Sequence, residues 1–270
     1  MTKKEPALLW RVMPADIRER LVHCLDAAAS ETVDDVERIV FFRADDVGVP
    51  GPRFSRLVHL FRTYRVPLTL AVVPAWLTEP RWQRLREICG NDRVLWGWLQ
   101  HGWRHLNHES RGKKQEFGPS RPLSDKQKDL RLGFQRLSRL MGGHLLPAFT
   151  PPWNRCDQET LGVLQNMGYK ALSSSQGARP AVTLAIPDYA VNVDLHCRKD
   201  KDATSGWQNL FEELRGSLGR GFCGIMIHHQ RMNEEAFAFL NILLPELKRW
   251  DHARLVHLGT LMEEGFESTP

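Results

Sequence analysis

The chain has 270 residues, 42% hydrophobic and 26% charged. That balance excludes a disordered chain, a collagen-like repeat and a small disulfide scaffold, and a chain this long buries about three quarters of its unfolded surface. Lys plus Arg number 37 against 32 Asp plus Glu, a net charge of +5.

The basic residues are dispersed apart from Arg111, Lys113 and Lys114, so no nucleic-acid partner is expected. Five cysteines are widely spaced with no C-x-x-C pair, which excludes a zinc knuckle and argues against a disulfide framework. Lys3 and Lys4 are not followed by an apolar signal region, and no run approaches the ~20 apolar residues of a spanning helix. The expectation is a cytoplasmic protein with no transmembrane segment. Oligomeric state is not legible.

In chain order, Pro14 to Ile39 reads as helical, with Leu21, Cys24, Leu25 and Ala28 in one stripe and Val33, Val36 and Ile39 repeating it. Ile39 to Phe42 is β-branched and aromatic and predicts a buried strand ending at Asp45-Asp46. Helices follow at Phe54–Tyr64, Arg81–Cys89, Ser124–Met141 (Ser124 as cap, Gly142-Gly143 as stop), Asp157–Met167, Trp207–Leu218 and Glu234–Trp250. Strands are expected at Val66–Val73, Val94–Leu99, Leu145–Phe149, Tyr169–Leu172, Tyr189–Leu195, Cys223–Ile227 and Leu255–His257. This alternation predicts an α/β fold: a distorted parallel (β/α) barrel of about seven strands. Asn107–Leu123 and Ser173–Asp188 are long loops outside the pattern, the first expected to lie over the site.

Ligands of parallel α/β folds sit at the carboxyl ends of the strands. Each apolar run here ends in polar residues: Arg43-Ala44-Asp45-Asp46, His101-Gly102-Trp103-Arg104-His105, Thr150-Pro151-Pro152-Trp153-Asn154, then Asn192, Asp194 and His196, and finally His228-His229. A bare Asp pair is more often a helix cap beside a solvated carboxylate than a site. His101 and His105, four apart, share a face on a helical turn and can meet one ion; alone, the spacing is more often an ordinary polar pair. Trp103 and Trp153 suit stacking on a sugar ring and capping of the barrel equally well. Only one of His228 and His229 can point inward from a strand end.

Taken together, these residues resemble the polysaccharide deacetylases of carbohydrate esterase family 4. Asp45-Asp46 resembles the Asp pair of their T-F-D-D motif, and His101-Gly102-Trp103-Arg104-His105 their H-[S/T]-x-x-H motif in an H-G-[Y/W]-x-H variant. Thr150–Asn154 resembles the third motif and Gly224–His228 the strand carrying the catalytic histidine. The resemblance runs from about residue 39 to 264. It implies an N-terminal helical extension over 1–38 and the barrel over 39–270.

It further implies one divalent metal held by Asp46, His101 and His105, zinc first, with cobalt, nickel or manganese as alternatives. Asp45 would be the general base and His228 the general acid in hydrolysis of an N-acetyl group from an amino sugar. Substrate-binding candidates are Arg43, Trp103, Arg121, Pro152, Trp153, Asn154 and His229. The partner expected is an N-acetylated glycan or a sugar-lipid precursor. Two departures stand out: Thr150 occupies the neighbourhood of the arginine that opens the third motif, and Val47 replaces the glycine after the Asp pair. They leave open a non-catalytic carbohydrate-binding protein on the same barrel.

Overall fold

The computed structural model describes residues 5–31, 37–178 and 186–266. Among the described residues, eight strands are interleaved with eight α-helices: α1 Ile17–Ser30, β1 Arg38–Val47, α2 Pro52–Tyr64, β2 Leu68–Val72, α3 Glu79–Cys89, β3 Trp96–His101, α4 Leu123–Met141, β4 Leu145–Thr150, α5 Gln158–Asn166, β5 Ala171–Leu172, β6 Val193–Asp194, α6 Ala203–Gly219, β7 Phe222–Ile227, α7 Glu234–Arg249, β8 Ala253–Val256 and α8 Leu258–Glu263. The expected α/β fold of parallel strands is what the chain adopts.

Two compact units divide the chain: residues 1–44, 51–68 and 192–257, and residues 45–50, 69–191 and 258–270. In the first, β1 pairs in parallel with β7 and with β8, and β6 pairs with β7. In the second, β3 pairs with β4 and β4 with β5, again in parallel. β1 contributes to both units, changing over between Ala44 and Asp45. All ten of its residues are buried, as expected of a parallel strand covered on both faces.

Local chemistry explains most helix starts. Asp157 caps α5 by accepting the Thr160 N–H at 2.9 Å, and Asn233 caps α7 through the Ala236 N–H at 3.1 Å. Asp202 and Ser205 form a reciprocal capping box on α6. Ser124 does not cap α4. The helix begins at Leu123 behind Pro122, whose ring presets its first turn.

Other differences are boundary shifts. Helix α1 stops at Ser30 and Ile39 lies in β1, because the β-branched run 39–42 pairs with β7 and β8; Val33 and Val36 fall outside the described residues. The strand expected over 189–195 shrinks to Val193–Asp194, with Val191 making an isolated bridge to Ser175. Residues 179–185 of the 173–188 loop also lie outside the described residues.

In the first unit, the segment before α1 is held by Trp10. Its ring is fully buried, edge-on to Trp207 at 5.1 Å and stacked on His196 at 5.6 Å. Its indole N–H donates to the Leu195 carbonyl at 2.7 Å. The second unit packs Phe117, Leu130, Phe149, Leu164 and Tyr169 beneath the loops that follow β3 and β4.

Candidate functional site

Asp45 and Asp46 sit near the end of β1, 2% and 7% exposed. Alternation along a strand would send them to opposite faces. Asp46 breaks the alternation with φ +60°, a left-handed conformation that re-aims its carboxylate. His101 is the last residue of β3, and no helix follows it. The expected helical turn is therefore replaced by an irregular loop in which Gly102 (φ +60°) and His105 (φ +58°) reverse the chain. This loop reproduces the i,i+4 convergence that a helix would give.

The result is a compact group. Asp46 Oδ1 lies 3.5 Å from His101 Nε2 and 3.1 Å from His105 Nε2. Two ligand atoms bound tetrahedrally at about 2.0–2.1 Å would lie about 3.4 Å apart, so these residues fit a zinc-sized ion. The Thr150 carbonyl can only accept, so it takes the proton of His101 Nδ1 at 3.0 Å and turns Nε2 toward Asp46. Burial alone would push the His101 imidazole down. The Asp46 hydrogen bond and the charges of Asp45 and Asp46 outweigh it and hold the pKa above the ordinary value.

Beneath this loop lies a residue that the sequence pattern did not single out. Glu116 is fully buried, and its two carboxylate oxygens accept the backbone N–H groups of Trp103 at 3.1 Å and Arg104 at 2.7 Å. Burial raises its pKa, opposed by backbone donors from Arg104, Trp103, His105 and Leu106. Gly102 is required here twice over: its φ is positive, and a Cβ would run into the Glu116 carboxylate and the Pro152 ring. A glutamate in a polar loop gives no sequence signal of such burial. The glycine between the histidines was the available hint.

Trp153 and Asn154 also have positive φ, +57° and +56°. Four of the five non-glycine residues with positive φ among those described are thus Asp46, His105, Trp153 and Asn154. Strain of this kind costs on the order of 1–3 kcal/mol per residue and gathers at functional sites. The Trp153 ring packs 4.3 Å from that of His105, and Trp76 approaches the same imidazole at 6.0 Å.

The remaining candidates fall in varied places. Trp103 is 9% exposed and lies in one core cluster with Phe117 and Phe149. Pro152 is buried against Gly102. Arg121 spans Asp129 (2.8 Å) and the Glu116 carbonyl (3.2 Å), which ties the 107–123 loop to α4. Arg111, Lys113 and Lys114 are exposed.

In the first unit, Arg43 is fully buried with Nη2 3.4 Å from Met226 Sδ. His229 is buried edge-on to Phe54 at 5.5 Å. Asp194 shares a cluster with His228, and Glu234 pairs with Arg56 at 2.6 Å. Asn192 serves the sheet, bonding Phe222 and Gly224.

No family model matches the sequence, and no curated protein does. Solved structures are similar to it. A Mycobacterium smegmatis protein named as a polysaccharide deacetylase aligns with a TM-score of 0.62 and 16% identity, over 86% of this chain and 91% of that one. The fold is that of the family 4 carbohydrate esterases. A family 4 acetyl xylan esterase from Clostridium thermocellum, determined with a cobalt ion, aligns at 0.53 and 13% identity over 86% and 93%. A pseudoenzyme of family 4 aligns at 0.53 and 12% identity, over 86% of this chain and 69% of that one. Among the described residues, no helix is long and apolar enough to cross a membrane.

Proposed function

We propose that the protein is a metal-dependent deacetylase that hydrolyses an N-acetyl group from an amino sugar in a glycan or sugar-lipid precursor. The observation that carries the reading is the convergence of Asp46, His101 and His105, whose ligand atoms all lie within 4.8 Å of one another, in a fold shared with family 4 enzymes. Asp46, His101 and His105 would hold the ion, with zinc the first candidate for a nitrogen-and-oxygen donor set. A bound divalent ion would supply an acidified water and polarise the amide carbonyl.

The chain's own residues would do the rest. Asp45, adjacent to Asp46 and close enough to influence the His101 titration, takes the water proton. Thr150 and Glu116 fix the orientation of the histidine loop from behind. His228, at the end of β7, gives a proton to the departing amine. Trp153, beside His105, offers an apolar face to a sugar ring.

A non-catalytic carbohydrate-binding role is the second reading. It is favoured by Thr150 standing near the place of the family's third-motif arginine and by the likeness to a pseudoenzyme. Acetate release from a panel of small N-acetylated glycans, with zinc or cobalt present, separates the two. Turnover is expected, and Asp45→Asn should cut it by about 10²–10⁴ with metal still bound. Of the paired variants His228→Ala and His229→Ala, the first should lose far more. Glycan binding without acetate release would establish the second reading.

A further inference from the structure

Two consecutive peptide groups between His101 and His105 are each held at both ends. The Gly102 carbonyl accepts the Gln100 side-chain amide, Nε2, at 3.0 Å, while the N–H of the same peptide, on Trp103, donates to Glu116. The Trp103 carbonyl accepts the Ala75 N–H at 3.0 Å, while the N–H of that peptide, on Arg104, donates to the other Glu116 oxygen. A peptide group is planar, so fixing its C=O and its N–H fixes the plane. The turn that carries the two imidazoles is set by these planes. Glu116 provides the holds on the N–H side, and Gln100 provides one on the carbonyl side.

Gln100 is fully buried, and both hydrogens of its amide are used. Besides Gly102, Nε2 donates to the Leu130 carbonyl in α4 at 3.3 Å. Carbonyls only accept, so this end of the amide must be the nitrogen. Oε1 then faces the Tyr169 hydroxyl, which donates to it at 2.5 Å. Tyr169 is buried, with its ring edge-on to Phe134 at 5.7 Å and to Phe149 at 5.9 Å. Turning the amide over would set its oxygen against two carbonyls and its nitrogen against the tyrosine.

The neighbouring helix is shaped to this amide. Alternation along β3 turns Gln100 to the face opposite His101, toward α4. The helix meets it at Gly133, where a Cβ would run into the Gln100 amide. Glycine inside a helix is destabilising relative to alanine. The backbone of Gly133 has no positive φ that would call for glycine, so the room for the amide is what requires it.

We infer that Gln100, braced by Tyr169, is a positioning residue for the ion site: it holds the Gly102–Trp103 peptide and so sets how His101 and His105 close on a cation of the zinc class. The inference rests on the reading of Asp46, His101 and His105 as metal ligands. Neither Gln100 nor Tyr169 is a ligand itself; both act through the backbone of the turn.

The test uses purified full-length protein, with zinc affinity read by chelator competition and the coordination geometry by the visible bands of the cobalt-loaded form. Tyr169→Phe removes one hydroxyl and keeps the ring. Gln100→Glu keeps the shape and replaces the donor nitrogen by an oxygen. Each should weaken zinc binding about 10–100-fold and alter the cobalt bands. Phe134→Leu loosens the packing on Tyr169 without touching the amide; it should lower the melting temperature and leave affinity and bands as in the native protein. Native affinity and bands in Tyr169→Phe overturn the inference, as does an equal loss of affinity in Phe134→Leu. Amide exchange in the metal-free protein reads the turn without the ion: the Trp103 and Arg104 N–H groups should exchange about tenfold faster in Tyr169→Phe than in the native chain. Unchanged exchange refutes the role of Gln100. A native protein that takes up no zinc overturns the reading of the ligand group instead, and faster exchange in Tyr169→Phe would still uphold Gln100 as the support of this turn.

Discussion

The Asp46–His101–His105 group and the Asp194–Cys197–His228 group use the same kinds of side chain but are built by different means. In the first, two of the three residues hold positive φ, and a buried glutamate and a glycine with no room for a Cβ keep the loop in that shape. In the second, none of the three has positive φ; a two-residue-long β6, a side-chain-capped turn and a neighbouring imidazole do the placing. Strain has to be held by tertiary structure and is kept where geometry is exacting. An unstrained turn tolerates adjustment. The comparison therefore predicts a first group that is preformed and intolerant of change, and a second, around His228, that tolerates substitution better.

The largest expected effect comes from His101→Ala. It removes the imidazole that the Thr150 carbonyl orients, and should abolish deacetylation with the loss of bound metal. Metal content unchanged from the native protein would overturn His101 as a ligand.

Next is Glu116→Ala, which touches no ligand side chain yet removes the acceptor for the Trp103 and Arg104 N–H groups. Loss of such support typically costs about 10–100-fold in metal affinity. Glu116→Gln, which keeps an acceptor oxygen, should recover part of it. Calorimetric zinc titration of both variants checks this. Equal affinity in all three proteins would mean that the His105 loop holds its shape without Glu116.

The smallest effect concerns the brace of the second group. Asp200 is desolvated, which alone would raise its pKa, but its bonds to Arg198 and Asn209 outweigh this and lower it below 3.8. A carboxylate held down in the folded state adds stability above its unfolded value, and that stability is lost as pH falls through the folded value. Asp200→Asn should therefore flatten the decline in stability from about pH 4 downward, with little change at the first site. Denaturant midpoints at pH 7 and pH 3 measure it. An unchanged slope would remove Asp200 from the support of the 194–198 turn.

Much of the architecture was legible because parallel strands are continuous apolar runs. Ile39–Phe42 and Cys223–Ile227 read as strands and pair side by side. The polar residues ending each run marked the candidate site before any contact was known. The long loop 107–123 was legible as a departure from the pattern, but not its anchor Glu116. A buried glutamate looks in sequence like any solvated one, since its partners are backbone groups that carry no letter.

Sequence alone determined which chemistry was on offer: carboxylates and imidazoles, each following a strand. It placed the glycine stop after α4 at Gly142, whereas Ser124, the cap it named, lies inside that helix. Tertiary structure decided which of these groups meet. The i,i+4 spacing of His101 and His105 indicated a helix, whereas β4 supplies the Thr150 carbonyl and Glu116 the carboxylate acceptors that hold them in a left-handed loop. Cys197 and His228, 31 residues apart, come within 3.4 Å only because β6 and β7 pair in register at Asp194 and Met226. Contacts across a sheet depend on register and on which strands become neighbours, and neither quantity is written in the local order of residues.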